Sequence, residues 1–224
     1  MPEDDFAELR SLMVAEIAAE TVFASGEIGK AALDPRVLDA MGRVPRHEFI
    51  PVELRPYAYA NSPLPIGCDK TISQPFICAL MTDLLELEAG DRVLEIGTGL
   101  GYQAAILAGL VGTVYSVEVI EPLAAQAKRR LAGYKNVVLR IGNGYYGWPE
   151  HAPFDKIIVT AAPDLIPPPL LGQLKPGGRM VAPAGLPDAQ KLMLVEKDAG
   201  GRTTIKEILR VRFSLLEAPD GAGA

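Results

Sequence analysis

Between Glu95 and Gly101 the chain reads Glu-Ile-Gly-Thr-Gly-Leu-Gly, after the apolar pair Val93-Leu94 and before a helical pattern from Tyr102 to Leu110. Glycines permit positive φ and close approach of a ligand to the backbone. The helix that follows offers free N–H groups at its start. A turn of this kind at the carboxyl end of a strand suits a nucleotide-like ligand. The dinucleotide fingerprint GxGxxG needs glycine where Tyr102 stands, so the spacing here is GxGxG. A ligand without pyrophosphate needs less of the helix N-terminus, and Glu95 places a carboxylate near any positive group it carries.

Two further segments fall at matching places on the next strands. Glu118 ends Val114-Tyr115-Ser116-Val117, where an acid can accept both ribose hydroxyls. Gly142-Asn143-Gly144 ends the strand after that, where a side-chain amide can meet an adenine edge. Taken singly, a glycine turn is often only a turn, Glu118 a solvated strand end, and Asn143-Gly144 a tight turn. Their order on successive strands favours the nucleoside reading. Ser73-Gln74-Pro75 precedes an apolar helix, which makes Ser73 an N-cap candidate. A serine at a helix N-terminus is also well placed to receive a carboxylate.

The elements that must hold these residues alternate. An amphipathic helix is predicted over 7–28, with Leu9, Leu12, Met13, Ile17 and Val22 on its apolar side. Asp34-Pro35 starts a second helix through Val37, Leu38 and Met41. Pro45 to Gly67 is irregular or short-stranded, and a third helix runs from about Gln74 to Leu87. Strands follow at 92–96, 113–118, 137–141, 155–161 and 179–182, with helices at 102–110, 121–132 and 168–174. This pattern predicts a doubly wound, mostly parallel α/β sheet covered on both faces. Residues 191–196 and 205–216 add an antiparallel strand pair around a turn at 198–202. The expected division of a single domain is an N-terminal helical and substrate-loop part (1–88), a cofactor-binding core (89–185), C-terminal strands (186–217) and a small polar tail from Ala218 that frays.

Composition bounds the partners. The 224 residues carry a formal net charge of -6, and no Lys/Arg run exceeds Lys128-Arg129-Arg130, so nucleic acid is not expected. Cys68, Cys78, His47 and His151 form no metal-ligand spacing, and no metal is expected. No basic leader or stretch of apolar residues long enough to span a membrane is present, so the expected location is the cytoplasm, away from membranes.

Longer strings carry a family resemblance. They are Val44 to Phe49, Pro63 to Gly67, Thr71-Ile72-Ser73-Gln74-Pro75, Leu94 to Ala104, Gly147-Trp148-Pro149, Ala152 to Asp155 and Val159 to Ala162. The GxGxG turn resembles the first motif of class I S-adenosylmethionine-dependent methyltransferases, a Rossmann-like fold. The whole set, from about residue 9 to 216, resembles the protein-L-isoaspartate O-methyltransferases. The resemblance implies methylation of the α-carboxyl of L-isoaspartyl residues in peptides and proteins. The resulting ester closes to a succinimide that hydrolyses partly to normal aspartate. S-adenosylmethionine is the implied donor and S-adenosylhomocysteine the product. Ser73 is the implied catalytic residue. Glu95, Gly97, Thr98, Gly99, Gly101, Glu118, Val119, Asn143, Gly144 and Thr160 are expected to bind the donor, and Gly67, Thr71, Ile72, Ser73 and Ser214 the acceptor, in a monomer. The chain departs from the family pattern at Cys68-Asp69-Lys70, Asn143 and Ser214-Leu215. Other readings are a carboxyl methyltransferase for a different acid, a nucleoside-binding module without chemistry, and a nicotinamide oxidoreductase, which the glycine spacing disfavours.

Overall fold

The computed structural model describes residues 3–216; the predicted frayed tail from Ala218 lies outside them. Three helices come first: α1 (Glu3–Phe23), α2 (Ser25–Ile28) and α3 (Pro35–Arg43). The single helix predicted over 7–28 is therefore two, divided at Ala24 and stopped by Gly29 in the left-handed region (φ 74°). Its buried stripe is Phe6, Met13, Ile17 and Thr21, while Leu12 and Val22 are 58% and 60% exposed. The last inward position is polar, which apolar periodicity cannot register: Thr21 satisfies its hydroxyl by donating to the Ile17 carbonyl (2.8 Å). Helix α3 starts as its sequence predicts, with the Asp34 side chain accepting the Arg36 N–H (2.8 Å) and proline in the first turn.

Two 3-10 turns, Arg46–Phe49 and Val52–Tyr57, lead to the hairpin β1 (Leu64–Gly67) and β2 (Lys70–Ile72). Both turn residues are left-handed, Cys68 at φ 52° and Asp69 at φ 55°. Such a two-residue turn favours glycine, asparagine or aspartate. Asp69, one of the departures from the family pattern, is thus a residue this turn accepts, and Cys68 beside it is the one that costs conformational strain.

Helix α4 (Pro75–Leu84) follows. It ends before the predicted Leu87, because Glu86 turns left-handed (φ 51°) without a glycine or proline to announce it. Its N-cap is Gln74 rather than the predicted Ser73, and neither side chain caps it. Asn61 does so from the preceding segment, its Oδ1 accepting the Phe76 N–H (3.0 Å). A cap supplied from outside the local sequence is invisible to spacing rules.

The remaining elements are β3 (Arg92–Ile96), α5 (Tyr102–Ala108), β4 (Thr113–Glu118), α6 (Glu121–Arg130), β5 (Val137–Ile141), β6 (Phe154–Val159), α7 (Pro168–Gln173), β7 (Leu174–Ala184), β8 (Lys191–Lys197) and β9 (Thr203–Arg210). Their one sheet has the order β5-β4-β3-β6-β7-β8-β9. Strands β5 to β7 are parallel, and β8 and β9 add on antiparallel. The doubly wound prediction is met. Strand β7 begins at Leu174, five residues before its predicted start, as its pairing jumps from Leu174 to Arg179. Strand β9 stops at Arg210 instead of reaching 216; beyond it only Leu215 bridges, to Ala162.

Alternate strand residues enter different cores, as the pleat requires. Val93, Ile158 and Val181 pack with the N-terminal helices, α4 and α5. Leu94, Ile157, Val159 and Met180 pack with Trp148, Phe154 and Leu170. Strand order reverses between β3 and β6, so the crevice for a ligand opens at the carboxyl end of β3.

Asn61→Ala is expected to lower stability by about 1 kcal/mol, or about 2–4 °C in melting temperature for a chain of this size. Ser73→Ala, which removes no cap, should melt within about 1 °C of the parent. Calorimetric melting of both variants checks the assignment.

Candidate active site

A cavity of about 870 Å³ opens at that switch point. Its wall runs from the glycine turn (Gly97, Thr98, Gly99) through Glu118, Val119 and Ile120 to Gly144, and closes on Thr160 and Ser214. The hairpin and the start of α4 form the other wall with Ile66, Lys70, Thr71, Ile72, Ser73 and Cys78. Four sequence-predicted residues do not line it: Gly67, Glu95, Gly101 and Asn143.

The glycine turn has little room for side chains. Gly97 (φ 93°) would set a β-carbon 2.5 Å from Thr160 Oγ1, and Gly99 (φ 56°) would set one 3.2 Å from Ile66 Cδ1. Gly101 (φ 101°) serves packing instead, since a β-carbon would meet Leu131 at 2.7 Å. Thr160 donates its hydroxyl to the Gly97 carbonyl (2.7 Å), tying β6 to the turn. Glu118 is buried and divides its oxygens: Oε2 accepts the Gly99 N–H (2.7 Å) and Oε1 the Ile120 N–H (2.9 Å). Each oxygen keeps a further lone pair for a ligand hydroxyl.

Glu95 stands behind the turn, fully buried. Its Oε2 accepts the Ser116 hydroxyl, which also meets Thr98 Oγ1 at 2.5 Å, while Oε1 has no partner. Burial pushes its carboxyl up to about 8, against the lowering effect of Ser116. Asn143 is turned to local work, its Oδ1 accepting the Tyr145 N–H (2.9 Å), so Gly144 forms the wall there. A β-carbon on Gly144 would stand 2.3 Å from Ile96 Cγ2.

Spacing rules missed what holds Ser73. Arg46 is fully buried and donates from Nε to the Ala58 carbonyl (2.8 Å) and from Nη2 to the Ser73 carbonyl (2.9 Å). Its guanidinium lies 4.9 Å from the centre of the Tyr102 ring, a cation–π approach. The string Val44-Pro45-Arg46 carried the only signal, as part of the resemblance. Tyr102 and Cys78 also line the cavity. Burial pushes the Cys78 thiol up to about 11 and raises the Tyr102 phenol as well, so both stay protonated at neutral pH. His47 stacks on Phe6 and His151 packs against Tyr115; neither lines the cavity. Among the described residues, no group of three or more His, Cys, Asp or Glu is arranged to hold a metal ion. No described helix is long and apolar enough to cross a membrane.

Residues 21–218 match the family model described as protein-L-isoaspartate(D-aspartate) O-methyltransferase. The chain is 68% identical over 219 residues to protein-L-isoaspartate O-methyltransferase 1 of Polaromonas sp. strain JS666, covering 97% of this chain and 93% of that one. It is 59% identical over 214 residues to protein-L-isoaspartate O-methyltransferase 2 of Syntrophobacter fumaroxidans, covering 94% and 87%. A solved protein-L-isoaspartate O-methyltransferase superposes with TM-score 0.75 at 32% identity, over 90% of this chain and 66% of that one. The fold is also that of a Plasmodium falciparum structure solved with S-adenosyl-L-homocysteine (TM-score 0.75, 24% identity, covering 93% and 97%).

The buried Glu95 makes a pH prediction. Its folded value of about 8 lies above the ordinary 4.5. The stability it contributes is therefore full below about 4.5 and lost as pH rises through about 8. Glu95→Gln keeps a partner for Ser116 and cannot ionise. It should melt several degrees above the parent at pH 8 and much closer to it at pH 5, since each tenfold change in a protonation equilibrium is worth about 1.4 kcal/mol. Melting curves across that range check the sign.

Proposed function

The chain belongs to the protein-L-isoaspartate(D-aspartate) O-methyltransferase family, and from that premise we infer how its cavity performs the reaction. The protein is an S-adenosylmethionine-dependent methyltransferase that acts on L-isoaspartyl residues of proteins. The observation that carries the site assignment is one cavity joining the glycine turn and Glu118 at one end to Ser73 at the other.

The residues present fit the donor. Gly97 and Gly99, which leave no room for β-carbons against Thr160 and Ile66, put bare backbone on the cavity wall. Glu118 offers acceptor lone pairs for ribose hydroxyls, and Val119, Ile120 and Leu123 give the apolar wall a base needs. When bound, S-adenosylmethionine supplies a methyl group made electrophilic by its sulfonium. Everything else falls to the chain. The acceptor is a carboxylate with an ordinary pKa of about 4, so it arrives ionised and needs no general base. That agrees with a cavity whose thiol and phenol are held neutral and whose wall holds no histidine.

The protein must align the carboxylate and strip it of water. In this reading Ser73 Oγ orients one carboxylate oxygen and leaves the other to attack. Arg46 holds the Ser73 backbone from below. Thr71, Ile72 and Ser214 flank the opening on the acceptor side. Gly67 supports the hairpin from its turn (φ 93°). The same reading has the enzyme work as a cytoplasmic monomer; the two free cysteines agree with a reducing compartment.

Matched peptides carrying L-isoaspartate or L-aspartate at one position test the acceptor. Methyl transfer to the first alone is expected; equal transfer to both overturns the specificity. Ser73→Ala should lower kcat by about 10- to 100-fold, the worth of one hydrogen bond to a charged group, with donor affinity within about twofold of the parent. A parental kcat removes Ser73 from the mechanism. Glu118→Ala should weaken donor binding by at least about tenfold, or 1.4 kcal/mol. Titration calorimetry with S-adenosylhomocysteine reads it, and unchanged affinity removes the ribose assignment.

A further inference from the structure

A second cavity of about 930 Å³ adjoins the first. The two share Thr71, Ser73, Thr160 and Ser214. Its far wall is the end of β9 and the segment after it, with Arg210 on the strand and Arg212 beyond it. We propose that this groove receives the peptide flanking the isoaspartyl residue, and that Arg210 and Arg212 select acceptors with acidic residues beside it. The inference rests on the assignment of Ser73 to the acceptor carboxylate.

Three observations carry it. The first is continuity. A carboxylate at Ser73 leaves its chain to run through the aperture that Ser73, Thr71 and Ser214 form, and the groove lies on the other side of it.

The second is charge. The chain has a net charge of -6, yet the groove is lined by two guanidiniums and no carboxylate. Both arginines are exposed. Neither has an ion-pair partner among the described residues, although their neighbours do: Lys191, opposite Arg210 in the sheet, pairs with Glu207, and Lys206 pairs with Glu196 (2.6 Å). Acids are therefore available along this edge and are engaged by lysines, leaving the two guanidiniums open to an incoming anion.

The third is that the wall is fixed in place. Gln190 is buried; its Oε1 accepts the Phe213 N–H (2.6 Å) and its Nε2 donates to the Phe213 carbonyl (3.1 Å). The Val211 N–H donates to the Gln190 carbonyl (3.1 Å), and the Ala162 N–H to the Ser214 carbonyl (2.8 Å). The backbone carrying the arginines is thus held by the β8–β9 ladder at Arg210 and pinned on both sides of Arg212 beyond it. Recognition by a pinned wall loses less ordering entropy than recognition by a loose one.

The test uses one isoaspartyl peptide sequence in three forms, with glutamate, glutamine or lysine two residues to either side of the target. KM and kcat are measured at low salt and at high salt. Exposed ion pairs are each worth a few-fold at most, so KM should rise from the glutamate to the lysine form by about three- to tenfold at low salt. The difference should shrink when salt screens it, with kcat changing by less than about twofold because the contacts lie away from the reacting oxygen. Arg210→Gln/Arg212→Gln should remove the KM ratio, and Arg210→Glu/Arg212→Glu should invert it; both positions are exposed, and melting curves report whether the fold is kept. Equal KM for all three peptides with the parent enzyme overturns the proposal, as does a ratio that persists in the double variant. Absence of transfer even to the glutamine peptide is a different failure: it overturns the acceptor assignment on which the groove depends.

Discussion

Glu118 Oε2 takes the Gly99 N–H while Oε1 takes the Ile120 N–H, so one buried carboxylate at the end of β4 fastens both the turn after β3 and the start of the segment leading to α6. Most of the donor side depends on that arrangement. A turn with three positive-φ glycines costs conformational entropy that other residues would not lose, and it stays in one shape only because its N–H and carbonyl groups are held. Glu118 holds an N–H from one side, and Thr160 holds the Gly97 carbonyl from the other. The parallel register brings both holders alongside the turn, since β4 and β6 flank β3 in the sheet. The turn is therefore a product of three strands and not of its own seven residues.

The acceptor side is built differently, from segments distant in sequence and without a ladder. Arg46 reaches the carbonyls of Ala58 and Ser73, and Asn61 caps α4 immediately after Ser73. A buried guanidinium is costly unless its donors are met; here carbonyl oxygens meet Nε and Nη2 and the face of Tyr102 lies against the group, while Nη1 has no hydrogen-bond partner. The cost is informative about position. A cation held under Ser73, where the proposed reaction brings an anion, lies on the favourable side of the acceptor's charge. A carboxylate in the same place would repel it.

Much of this was legible in the chain. Strand order followed from the alternation of short apolar runs and helices, and β3, β4 and β5 fall where the pattern sets them. Glu118, Gly97 and Gly99 meet in one cavity because successive parallel strands bring their carboxyl ends to one edge, and Ser73 reaches it from the link between β2 and α4. What escaped was which competing contact, near or remote in sequence, each side chain makes. Ser73 reads as a cap until Asn61 is seen to provide one. Val22 reads as core until Thr21 takes the inward position. Asn143 reads as an adenine contact until its oxygen is found holding Tyr145. Glu95 reads as a ligand carboxylate, yet its first dependence is on Ser116, on a strand that local spacing cannot place beside it. In each case a competing contact decides how the residue is used.

The chemistry explains why so little of the cavity is ionised. A carboxylate nucleophile is already charged, so a base would add nothing, and further anions would repel it or hold water near it. Burial keeps Cys78 and Tyr102 neutral and moves Glu95 toward its protonated form. Glu118, the carboxylate on the cavity wall, has both oxygens engaged by backbone N–H groups. A cavity of this character leaves a bound carboxylate few competing partners beyond Ser73, the residue proposed to orient it. Strengthening that hydrogen bond with a cationic side chain at position 73 would bind the carboxylate more tightly and blunt the same oxygens for attack. In the proposed reading, a neutral hydroxyl at Ser73, with the guanidinium of Arg46 kept one layer behind it, attracts the acceptor while leaving its nucleophilic oxygen exposed.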